Sequence, residues 1–133
     1  MNGKAAYLDT SAFLKLIVVE RESASLRRFL IGWPERTSVT LLRTETVRAL
    51  RRAGYEAQVG AARRLFGSMR LIRLDESLLD RAAELDPREM RSLDAVHLAA
   101  ALSLGSDLGV FVTYDERLAD AAQRSGIASS SPS

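Results

Sequence analysis

The feature that most restricts the fold of this chain is a repeated alternation: short runs of strand length, each followed by a longer stretch with helical spacing. Residues 5–9, 36–39, 71–74 and 110–113 read as strands, and the first of them (AAYLD) is an apolar run that ends in Asp-Thr-Ser, a helix start. Helices are expected over residues 11–19, 22–31, 41–53, 55–69, from Asp75 or Ser77 to about 86, 92–104 and 116–125. Gly32, Trp33 and Pro34 break the second of these, Gly54 closes the third, Pro87 stops the fifth and Gly126 ends the last. The helix over 92–104 is Ala-rich and strongly apolar, which predicts burial. Alternating strands and helices imply a parallel α/β sheet with right-handed crossovers, whose ligand site lies at the carboxyl ends of the strands.

That topology places four acids together. Asp9 ends the first strand, and Asp115 lies just beyond the strand at 110–113. Glu45 lies one turn into the helix that leaves the strand ending at Val39, and Asp94 stands at the start of the helix feeding the strand at 110. Both helices must begin at the carboxyl rim to run back along the sheet. Singly, each acid has an ordinary explanation, as a helix cap or as a complement to a helix dipole. Capping does not require all four on one rim.

At ~4 Å and an effective dielectric near 20, each pair of carboxylates would repel by roughly 4 kcal/mol. Such a cluster calls for bound cations or raised pKa values. Hard oxygen ligands, with no cysteine and one histidine, suit Mg²⁺ or Mn²⁺ better than Zn²⁺. A divalent cation so held can activate water for attack on a phosphodiester.

Composition narrows the remaining choices. The 133 residues, 47% hydrophobic, suffice for one domain, expected over residues 1–127, with a small, polar, loose tail over 128–133. The absence of cysteine excludes disulfides, Cys-rich zinc sites and thiol catalysis. No secretory signal and no apolar stretch of bilayer length is present, so the expectation is a soluble, cytoplasmic protein with no membrane partner. Net charge is only +2, yet nearly all the basic residues are arginine, the fork-shaped donor suited to phosphate.

Taken in order, YLDTSAFLKL, the Glu in LRTETVRAL, RSLDAVHLAAAL and FVTYDERLADAA resemble the PIN-domain ribonucleases, and specifically the VapC toxins of VapBC toxin–antitoxin pairs. The resemblance spans nearly the whole chain. It implies a three-layer α/β/α sandwich with a central, mostly parallel sheet, and a Mg²⁺-dependent endoribonuclease (Mn²⁺ serving as well). It further implies a cognate VapB-type antitoxin, a homodimer, and an RNA substrate such as tRNA or rRNA cut in single-stranded loops, where bases are accessible. Carried over by residue, the acidic quartet of catalytic and metal-binding positions falls on Asp9, Glu45, Asp94 and Asp115, with Glu116 and Asp120 as neighbours that could share the role of Asp115. Ser11 and Thr113 supply hydroxyls that orient a carboxylate or a water.

His97, three residues after Asp94, is expected to be a packed, hydrogen-bonded core residue and not a general base. Arg43, Arg48, Arg51 and Arg52, with Arg91, are candidate RNA phosphate contacts, or else a solvated face. The resemblance also suggests Phe13, Ile17, Val18 and Trp33 as an apolar groove for the antitoxin. A receiver-type phosphoacceptor would need a lysine late in the chain, and the only lysines are Lys4 and Lys15. A haloacid-dehalogenase-like phosphatase would need Asp where Ser11 stands. Two alternatives stay open: a non-catalytic PIN-like RNA- or partner-binding module, and a structure-specific DNA nuclease.

Overall fold

The structure, a computed structural model, describes residues 3–133. Five parallel strands, β1 (Ala5–Leu8), β2 (Arg36–Val39), β3 (Arg70–Ile72), β4 (Leu108–Val112) and β5 (Ser129–Ser130), lie in the order β3-β2-β1-β4-β5. Helices α1 (Thr10–Leu14), α2 (Ser23–Ile31), α3 (Leu41–Arg52), α4 (Val59–Phe66), α5 (Glu76–Ala83), α6 (Ser92–Leu102) and α7 (Glu116–Arg124) cover both faces. From β1 the chain steps outward to β2 and β3, then returns to β4 on the far side of β1. The strand order therefore reverses between β1 and β4, where a parallel sheet opens a crevice at its carboxyl end.

The period-2 alternation of strand side chains builds the layers. Tyr7 and Phe111, with ring centroids 5.3 Å apart, face α5, α6 and α7, whose Leu78, Leu98 and Leu118 are buried on them. Ala6, Leu8, Val110 and Val112 face the other way, against Ala12, Leu26 and Leu30. On this second side Phe13 stacks on Phe66 at 5.3 Å, beside Leu42 and Leu50. Each of these fully buried large side chains contributes about 1.5–3 kcal/mol relative to exposure.

Several element ends differ from the sequence expectation, each for a local reason. The first helix stops at Leu14 instead of continuing to Val19: Leu16 and Ile17 donate to the carbonyls of Phe13 and Leu14, in tight turns through a segment rich in β-branched residues. The expected helix over 55–69 begins as a 3₁₀ turn, Glu56–Gln58, because Gly54 reverses the chain at φ +83° and Tyr55 N–H caps Leu50 at 2.8 Å. The strand β4 starts two residues early, at Leu108, and its register with β1 shifts so that Gly109 is an extra residue. Residues 128–133, expected to be a loose tail, instead supply β5. Without them the backbone of β4 would be an unpaired edge. Phe111 N–H donates to Ala128 at 2.9 Å, Ser131 Oγ donates to the Thr113 carbonyl at 2.6 Å, and the Tyr114 hydroxyl donates to Pro132 at 2.7 Å.

Candidate active site

All four acids take the element ends that topology assigned to them. Asp9 follows β1 and caps α1, accepting from Ala12 N–H at 3.0 Å. Asp115 caps α7 two residues after the start of the turn leaving β4, accepting from the N–H groups of Arg117 and Leu118. Glu45 lies in the second turn of α3, and Asp94 in the first turn of α6. Capping and site membership are thus not rival explanations for Asp9 and Asp115, since capping engages Oδ1 and leaves Oδ2 to other partners.

Asp9 is the most enclosed, 4% exposed. Ser11 Oγ donates to its Oδ1 at 2.7 Å, and Thr113 Oγ1 to its Oδ2 at 2.6 Å. Ser11 and Thr113 are themselves tied down, because Tyr114 N–H donates to Ser11 Oγ and Asp115 N–H to Thr113 Oγ1. Burial still raises the Asp9 pKa above the ordinary carboxylate value, with His97 nearby and these donors compensating only in part. Asp94 is also raised, first by burial and then by the Asp115 charge.

Glu45 behaves in the opposite way. Burial disfavours its charge, but His97 Nε2, 2.7 Å from Oε1, and the Thr10 hydroxyl, which donates to Oε1 at 2.6 Å, outweigh it and lower the pKa. His97 is buried as expected, at 2% exposure. Its contact with Glu45 and the role of Thr10 were not foreseen from sequence; the spacing of an acid 52 positions earlier carries no signal of contact.

Part of the compensation that the cluster calls for comes from the chain itself. Arg91 Nε lies 3.5 Å from Asp94 and its Nη2 3.6 Å from Asp115, so a guanidinium already stands between the two. Among the described residues, moreover, no three acidic or histidine side chains form a finished metal cage. The donor set nevertheless fits a hard divalent cation. Asp9 Oδ2 retains a lone pair beyond the Thr113 bond, Glu45 bonds through Oε1 alone, and Asp115 commits Oδ1 to its helix. The raised Asp9 and Asp94 values mark negative charge that the protein has not fully compensated.

The remaining candidates divide. Arg48, Arg51 and Arg52 are exposed and line one shallow hollow with Glu56. Arg43 stacks its guanidinium 5.2 Å over the Phe66 ring in an adjoining hollow shared with Arg48 and Arg63. Glu116 is exposed, and Asp120, which lines a hollow with Asp94, is paired with Arg124 at 2.9 Å. Phe13 is fully buried and cannot line an antitoxin groove, and Trp33 is packed on Phe29 and Gly109. Ile17 and Val18 are partly buried against the α3–α4 core. Among the described residues no helix is long and apolar enough to cross a membrane.

Comparison with known proteins agrees with this architecture. Residues 6–124 match the PIN domain family. Two Mycobacterium tuberculosis proteins align over almost the full length: ribonuclease VapC46, 48% identical, covering 97% of this chain and 98% of the relative, and ribonuclease VapC47, 37% identical, covering 95% and 96%. Among solved structures, M. tuberculosis VapC20, described as a sarcin-ricin-loop-cleaving toxin, superposes with a TM-score of 0.74 at 19% identity, covering 93% of this chain and 97% of that one. A toxin–antitoxin complex from Klebsiella pneumoniae superposes with a TM-score of 0.65 at 18% identity, covering 86% and 90%. These last two speak for the fold, and the sequence matches for the lineage: this chain belongs to the PIN-domain family, among its VapC-type members.

Proposed function

We propose that the chain is a divalent-metal-dependent endoribonuclease, the toxin of a type II toxin–antitoxin pair, acting in the cytoplasm on single-stranded or loop regions of tRNA or rRNA. The observation that carries the reading is the pair of hydroxyls, Ser11 and Thr113, clamped on a buried Asp9 at the strand-order reversal. Maintaining a buried carboxylate with two dedicated donors is costly unless its charge is used. Relationship to the ribonucleases VapC46 and VapC47 supports the same activity.

Asp9, Glu45, Asp94 and Asp115 would hold Mg²⁺ or Mn²⁺. When bound, such a cation lowers the pKa of a water and stabilises charge developing on phosphoryl oxygens. The protein's own part is positioning. Ser11 and Thr113 fix the Asp9 carboxylate, and Thr10 and His97 fix Oε1 of Glu45, leaving Oε2 for a cation or for the proton of the attacking water. Arg43, Arg48, Arg51 and Arg52 offer donors to RNA phosphates along α3, and Arg91 to the phosphate nearest Asp94. A VapB-type antitoxin and a homodimer complete the reading, the former in keeping with the Klebsiella complex.

A non-catalytic binding module is the second reading, favoured by the Arg91 guanidinium already standing on Asp94 and Asp115. Both are tested by incubating the purified protein with tRNA and total RNA, with Mg²⁺ or Mn²⁺ and then EDTA, beside Asp94→Asn, and mapping new 5′ ends. Discrete cuts that vanish with chelation and in the variant are expected. A folded, metal-binding wild type that cuts no RNA from its own host would put the binding module first.

A further inference from the structure

A buried hydrogen-bonded line runs from the middle of β1 to the site. The Tyr7 hydroxyl lies 2.8 Å from His97 Nδ1, and His97 Nε2 lies 2.7 Å from Glu45 Oε1. Tyr7 and His97 are 0% and 2% exposed, and the imidazole meets the phenol edge-on, 76° from coplanar. The order of donors along this line follows from chemistry. A buried phenol keeps its proton at neutral pH, and a carboxylate only accepts. The proton of a neutral imidazole therefore resides on Nε2 and points at Glu45, and Nδ1 accepts from the phenol, which can donate or accept as the ring requires. The other tautomer would set a bare Nε2 lone pair against a carboxylate oxygen at 2.7 Å and leave Nδ1–H facing the phenol.

We infer that His97 is a positioning residue for Glu45, with Tyr7 holding the far nitrogen of the imidazole that donates to it. This rests on the reading that Glu45 belongs to the catalytic set. Thr10 supplies a second donor to the same oxygen, so Oε1 is saturated and the orientation of Oε2 is fixed. The geometry has a parallel in metal sites, where an outlying hydrogen-bond partner that orients a ligand is worth about 10–100-fold in metal affinity or activity. No proton needs to leave His97 in this role. That separates it from a general base.

The test uses the fact that the chain contains one histidine, so a long-range ¹H–¹⁵N spectrum of the full-length protein reports its tautomer without assignment. Metal-free wild type is expected to give the Nε2–H pattern, and Tyr7→Phe to retain it, because Glu45 still accepts from Nε2. Mn²⁺ binding, read by the loss of free-ion EPR signal, is expected to weaken about 10–100-fold in His97→Leu and to recover largely in His97→Gln, whose amide reaches the Nε2 position as a donor. RNA cleavage should fall in kcat with little change in KM in the Leu variant. An Nδ1–H wild-type pattern overturns the inference, as does Mn²⁺ binding that is unchanged in His97→Leu or equally weak in the Gln variant. A wild type with the Nε2–H pattern and His97-dependent Mn²⁺ binding that cleaves no RNA would support the positioning role while removing the ribonuclease reading.

Discussion

Thr113 Oγ1 donates to Asp9 Oδ2 at 2.6 Å, joining the carboxyl ends of β4 and β1 across 104 residues of chain. The bond spans the point where the strand order reverses, so the residues that close the sheet also build the site. Thr113→Val keeps the shape and removes the hydroxyl from a charged acceptor and from Asp115 N–H. The expected cost is about 1.5–3 kcal/mol in urea unfolding, largely restored in Thr113→Ser. Equal losses in both variants would mean that packing, and not the hydroxyl, matters there.

The raised Asp9 pKa predicts a pH dependence with a definite sign. Because the folded state holds the Asp9 proton more tightly than the unfolded chain does, the group favours folding below the ordinary carboxylate pKa, and this contribution is lost as pH rises through the raised value. Asp94, also raised, has the same sign. In EDTA at neutral pH, Asp9→Asn should therefore unfold at a higher temperature than wild type, with the gap closing below about pH 4, and with Mg²⁺ it should lose cleavage. A variant less stable than wild type at neutral pH would show that the hydroxyl clamp outweighs burial.

Gly109 is required by a neighbour and not by its own backbone angles. A Cβ there would lie 2.3 Å and 2.6 Å from two ring carbons of Trp33, which closes the second face of the sheet, and 3.0 Å from Lys4 Cβ. Gly109→Ala should cost about 1–3 kcal/mol and change the fluorescence of Trp33, the only tryptophan. Unaltered emission and stability would mean that the ring moves aside freely.

This contact illustrates what the sequence could and could not convey. Alternating strands and helices placed Asp9, Glu45, Asp94 and Asp115 at their element ends because topology follows from local pattern and handedness. Trp33 over Gly109, His97 against Glu45 and Arg91 between Asp94 and Asp115 are contacts between distant segments, set by packing distances that no local pattern encodes. The β5 strand was illegible for a related reason. Ser129–Ser130 has no strand propensity, and only the open edge of β4 recruits it.

Arg91 gives a prediction of opposite direction for stability and metal binding. Its side chain is 76% exposed and its two contacts are long, so Arg91→Ala should change unfolding free energy by less than about 1 kcal/mol. Any cation entering between Asp94 and Asp115 must displace the guanidinium. Metal titration should therefore show affinity tighter by up to about 5-fold in the variant, the equivalent of a surface ion pair. Weaker metal binding in Arg91→Ala would assign Arg91 to holding the acids in place.

The arginines of α3 are separable by their surroundings. Arg43 stacks on Phe66, so its loss mixes packing with charge, whereas Arg48 and Arg51 are exposed and their loss is nearly pure charge. If RNA phosphates pass along this face, the Arg48→Ala and Arg51→Ala variants should each lower RNA affinity and reduce the slope of log affinity against log salt by about 0.7, the value for one single-strand phosphate contact. The readout is fluorescence anisotropy of a labelled loop RNA with Asp94→Asn protein, expected not to cleave it, over a range of salt. An unchanged slope in both variants would make this face a solvated one and direct the search for the RNA path to the hollow beside Asp94, which Arg91, Arg117 and Arg124 line.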